Sequence, residues 1–117
     1  KYLERVIHHE VFHIINDQYE EFFDENEWKK FNDSKFKYAE CSTCTENLGL
    51  DKYKKTRGFF TEYSKSTASE DMAEVYSHII FLKVEEINKI QKLDKILNKK
   101  ISYIKSKIKV IDNSFIF

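Results

Sequence analysis

From Tyr2 to about Phe23 the apolar residues Leu3, Val6, Ile7, Val11, Phe12, Ile14 and Ile15 recur at helical steps and leave little polar face. The pattern predicts one long helix, buried nearly all round. After Asp17 it turns acidic, through Glu20, Glu21, Asp24, Glu25 and Glu27. A short helix is expected around Trp28, followed by a loop anchored by Phe31, Phe36 and Tyr38, because Asn32, Asp33 and Ser34 form a turn cluster. In such loops aromatic anchors ordinarily serve packing. From Asn47 to Arg57 the chain is polar and reads as loop, and Gly58 to Tyr63 reads as a turn into a short extended piece.

A second strong helix opens at Ser66 to Tyr76. Thr67 with Glu70 three residues on fits a capping box, and the acidic pair Glu70 and Asp71 suits a helix N-terminus. The pattern runs on through Ile79, Ile80, Leu82 and Val84. Ile87, Ile90, Leu93, Ile96, Leu97, Ile101, Ile104, Ile108 and Ile111 then recur at three- and four-residue steps with Lys, Glu and Asn between them, which predicts a long amphipathic helix or helical pair. Its charges are not arranged as in a coiled coil, so it is expected to pack as core or against a partner. The expectation is a mainly α domain over residues 1–117, with a core at 1–84 and a C-terminal helical extension at 85–113.

With 41% hydrophobic and 15% aromatic residues, a chain of 117 can bury a sizeable core. Its 20 basic and 20 acidic residues balance, so the footprint of a nucleic-acid binder is missing. The only arginines are Arg5 and Arg57, which leaves few groups suited to bidentate phosphate recognition. No apolar run approaches the roughly 20 residues of a membrane span. Lys1 stands close upstream of the first helix and the only methionine is Met72, so a segment of a larger protein is expected.

The candidate chemistry lies on the first helix. His9, Glu10 and His13 stand in the order H-E-x-x-H, and two histidines four positions apart project from one helix face, as zinc ligands do. Glu10 is turned about a quarter-turn from the ligand line, where a carboxylate can take a proton from a water acidified by the metal. His8 lies on another face and reads as supporting or structural. Without a metal, the same pattern would describe a buried helix with two hydrogen-bonded core histidines. On the second helix Glu70 reads as a cap or, with Glu74 one turn on, as a third zinc ligand backed by a supporting carboxylate. Cys41 and Cys44 form a lone C-x-x-C with His78 as the only later histidine, too little for a ribbon-type zinc site.

With both stretches in view, the chain resembles the bacterial-type zinc-binding metallopeptidases that carry HHExxH, an acidic-Trp-aromatic segment and a G-F-x-x-x-Y-[A/S]-x-[T/S]-x-x-E-D-x-A-E block. These fall at His8 to His13, Asp24 to Tyr38 and Gly58 to Glu74. The spacing of Tyr63, Glu70 and Glu74 also resembles that in the catalytic domain of anthrax lethal factor, a gluzincin-type protease. The resemblance implies a zincin-like lobe with an active-site helix and a second, ligand-bearing helix. It implies Zn2+ held by His9, His13 and Glu70, with Glu74 orienting a ligand. Glu10 would be general base and acid, and Tyr63 would donate to the oxyanion formed on a protein or peptide substrate. Glu74 or Asp71 could replace Glu70 as third ligand, because the resemblance fixes the helix better than its rotation. The function expected is zinc-dependent peptide hydrolysis. Its rival is an inactive zinc-binding or helical protein-interaction module.

Overall fold

A computed structural model of the chain describes residues 2–40 and 57–113. Within them lie α1 (Tyr2–Gln18), α2 (Glu25–Lys29), α3 (Ala68–Phe81), α4 (Val84–Leu93) and α5 (Lys95–Ile111), with single 3-10 turns at Glu20–Phe22 and Tyr63–Lys65. Among the described residues there is no strand, and the fold is mainly α. The C-x-x-C of Cys41 and Cys44 and most of the polar stretch after it lie outside the described residues.

α3 is the central element. Met72, Ala73, Val75, Tyr76 and Ile79 on it are buried, and α1, α2 and α5 all pack against it. Phe12 from α1, Trp28 from α2 and Leu97, Ile101 and Ile104 from α5 complete one continuous core. Full burial of a side chain of this size contributes roughly 1.5–3 kcal/mol before entropy is counted. Trp28 is 0% exposed and packs edge-on against Phe31 and Tyr103, so its role is packing.

Thr67 caps α3 as expected, its hydroxyl oxygen accepting from the backbone N–H of Glu70 at 3.0 Å. The Glu70 carboxylate does not close the box, since it is committed to the histidines of α1. Cap and ligand were alternatives in the sequence; the backbone N–H of Glu70 takes part in the cap, while its side chain is turned to His9 and His13. The C-terminal pattern resolves into a helical pair, broken at Asp94. Its carboxylate caps α5 by accepting from Leu97 N at 2.9 Å, and also accepts from Gly58 N at 2.7 Å.

Four expectations need correction. α1 stops at Gln18, short of Phe23. Its last turn holds no basic residue and is followed by Glu20 and Glu21, a poor match to the negative end of a helix dipole. α1 is also not buried all round. Arg5, His9 and Phe12 face α3, while Leu3 at 68%, Ile7 at 53% and Ile14 at 63% are exposed on the other side. α3 ends at Phe81 and does not run to Val84, because Leu82 takes an extended conformation with ψ of 154°. Gly58 to Tyr63 is a turn leading into a 3-10 helix, with no extended piece. Gly58 has a φ of +92°, and a Cβ there would meet Ile96 Cγ2 at 2.8 Å. Only glycine suits that turn.

Candidate metal centre

The H-E-x-x-H stretch lies on α1 where it crosses the first two turns of α3, so residues four apart on each helix meet. His9 Nε2 stands 2.9 Å from Glu70 Oε1, His13 Nε2 stands 2.6 Å from the same oxygen, and the two nitrogens are 3.2 Å apart. Ligands held at 2.0–2.1 Å around a tetrahedral zinc are separated by roughly 3.3 Å. The three atoms are therefore drawn in slightly closer than a zinc shell needs, about a common point, and the donor set fits the metal. His9, Glu10 and His13 form a group able to hold a metal ion. Within it Glu10 is the outlying member. Its Oε1 is 3.9 Å from His9 Nε2 and its side chain is 67% exposed, whereas Glu70 touches both histidines.

Electrostatics reflect the crowding of cationic and anionic groups. Burial alone would push the His9 imidazole down, but Glu70 and Glu74 outweigh it and hold its pKa up at about 9. Burial would likewise raise Glu70. Hydrogen bonds from His13, His9 and Tyr63 prevail and hold its carboxyl well below the usual carboxylate range. Metal binding at such a site releases whatever proton the ligating groups carry.

Behind His9 the carboxylate of Glu74 is 0% exposed and lies 2.8 Å from Nδ1 through Oε2. With Nδ1–H donating to Glu74, Nε2 is the nitrogen left to face His13 and Glu70. Glu74 thus stands behind the histidine and not among the converging atoms. Asp71 points away altogether. Its Oδ2 accepts from Tyr38 Oη at 2.6 Å, Lys100 Nζ at 2.8 Å and Trp28 Nε1 at 3.1 Å in the core. Tyr63 donates to Glu70 Oε2 at 2.7 Å, and burial together with Glu70 raises its phenol above the ordinary range.

Two supporting residues are absent from the sequence-based expectations for the site. Arg5 Nη1 reaches both oxygens of Glu74, at 3.2 and 3.4 Å, and Thr61 donates to Glu74 Oε1 at 2.6 Å. Arg5 was findable, since it lies one turn before His9 on the same face. Thr61 sits in an irregular turn whose direction no pattern reports. The site is open on the side of exposed Glu10. A cleft of about 580 Å³, lined by His13 together with Asn16, Asp17, Glu20, Glu21 and Ser69, adjoins the site.

In comparison with known proteins, the model of a family described as "Putative zinc-binding metallo-peptidase" matches residues 1–115. No curated protein and no solved structure matches the chain significantly.

Proposed function

Because the chain belongs to this zinc-binding metallo-peptidase family, we propose that it hydrolyses peptide bonds with zinc held by His9, His13 and Glu70. The observation that carries this reading is the approach of His9 Nε2, His13 Nε2 and Glu70 Oε1 to within 2.6–3.2 Å of one another, with a further carboxylate on the open side. Zinc bound there supplies Lewis acidity, polarising a carbonyl and acidifying a water.

The protein's own groups do the rest. Glu10 takes the proton of the attacking water and delivers it to the departing amine, so it serves as base and then as acid. Its exposure suits this role, since water and substrate reach it from the open side. Tyr63 donates from its phenol to the oxygen on which negative charge develops, having first let go of Glu70. Glu74 keeps the His9 ring turned toward His13. The substrate is a protein or peptide, and the cleft beside His13 offers room for its chain.

The test is peptide cleavage by the purified protein, stripped with chelator and then reloaded. Cleavage that disappears in chelator and returns with zinc is expected. A stoichiometrically loaded protein without turnover would replace this reading with that of a metal-holding module. Tyr63→Phe should lower turnover by about 10²–10³-fold, the usual worth of one oxyanion donor, and leave zinc content unchanged. If it strips the metal instead, the contact with Glu70 is the sole role of Tyr63.

A further inference from the structure

Glu74 is a fully buried carboxylate whose contacts decide which way His9 faces. Among the described residues three donors reach it. Thr61 Oγ1 binds Oε1 at 2.6 Å, His9 Nδ1 binds Oε2 at 2.8 Å, and Arg5 Nη1 spans both oxygens at 3.2 and 3.4 Å. Thr61 and His9 each pull on one oxygen; Thr61 is neutral, and the His9 charge depends on its protonation. Arg5 brings a permanent charge and is itself nearly buried, at 5% exposure. A carboxylate can turn about its terminal torsion, which is broad, unless both oxygens are fixed. Arg5 Nη1, shared between the two oxygens at 3.2 and 3.4 Å, adds a charged donor that opposes this turning.

Arg5 and His9 stand one turn apart on α1, so the same helix carries both the metal-site imidazole and the cation that anchors its partner across α3. We propose that Arg5 is a positioning residue of the metal centre. By holding Glu74, it fixes the Nδ1–H donation of His9 and aims Nε2 at the point shared with His13 and Glu70. The proposal rests on the zinc reading above for its consequence in affinity, but not for its consequence in the metal-free chain. On this proposal Arg5 acts through Glu74 and then His9.

The experiment uses the whole chain in two states. In the metal-free protein, the His9 Nδ1–H proton signal is followed by NMR and its exchange with water measured. In the loaded protein, Zn2+ affinity is measured by competition with a chromophoric chelator. Arg5→Met is expected to speed Nδ1–H exchange and to weaken zinc binding 10–100-fold, the usual cost of removing a partner that orients a ligand. Arg5→Lys, which returns a charged donor on a stem of different reach, should recover part of both. Thermal unfolding of the metal-free variants separates loss of fold from loss of orientation. If Arg5→Met does not fold, Arg5→Lys decides: faster exchange and weaker binding than in the parent support the proposal, and parent values overturn it. Parent values in a folded Arg5→Met overturn it directly. A parent that binds no zinc would sink the metal reading and leave the exchange rates to judge Arg5.

Discussion

Glu10→Gln is expected to lower peptide hydrolysis by about 10²–10⁴-fold, the range attributed to a positioned general acid-base group, while zinc stays stoichiometric. The asymmetry follows from where Glu10 stands. Its side chain is 67% exposed and touches the site only at 3.9 Å from His9 Nε2, so it adds little to packing or to the contacts among His9, His13 and Glu70. Glutamine keeps the size and the hydrogen-bonding reach and removes only the capacity to accept a proton. Turnover measured beside zinc content distinguishes the roles. Normal turnover in the variant would remove Glu10 from the chemistry, and loss of zinc would make it a ligand.

The second large effect lies in the core. Lys100→Met is expected to destabilise the fold by about 3–5 kcal/mol, because it leaves a buried carboxylate without its counter-charge. Lys100 and Asp71 are both 0% exposed and are bound at 2.8 Å. Lys100 also donates to Gly58 O at 2.6 Å and lies 3.9 Å from the centre of the Phe59 ring. Burial pulls both groups toward their neutral forms, Asp71 upward and Lys100 downward, and their mutual attraction opposes it. Asp71 keeps Tyr38 and Trp28 as donors to Oδ2, but Oδ1 has no partner among the described residues. The double variant Asp71→Asn with Lys100→Met should therefore regain much of the loss, since the orphaned charge goes with its partner. Denaturant unfolding of the two variants and the parent measures this. A single Lys100→Met as stable as the parent would show that the pair contributes nothing net.

That pair also marks what sequence could and could not reveal. The i, i+4 spacing of His9 and His13 and the Thr67 cap are local, and local periodicity reports them. The turn at Asn32, Asp33 and Ser34 that follows α2 was legible for the same reason. Lys100 looked like one of many solvent-facing lysines, although it sits between Leu97, Ile101 and Ile104 on the apolar stripe of α5. A charge at a core position of an amphipathic helix predicts a buried partner, but cannot say that the partner is Asp71. The rotation of α3 posed the same difficulty. Which of Glu70, Asp71 and Glu74 faces α1 depends on how two helices cross, a tertiary fact. The exposed Leu3, Ile7 and Ile14 misled for a related reason, since apolar composition gives no information about which side of a helix has a neighbour.

Zinc per chain, measured on protein purified without added metal and alongside Glu70→Ala, tests the centre most directly. About one zinc in the parent and little in the variant is the expected result. Zinc fully retained by Glu70→Ala would contradict the ligand set, and a parent without zinc would contradict the metal centre itself.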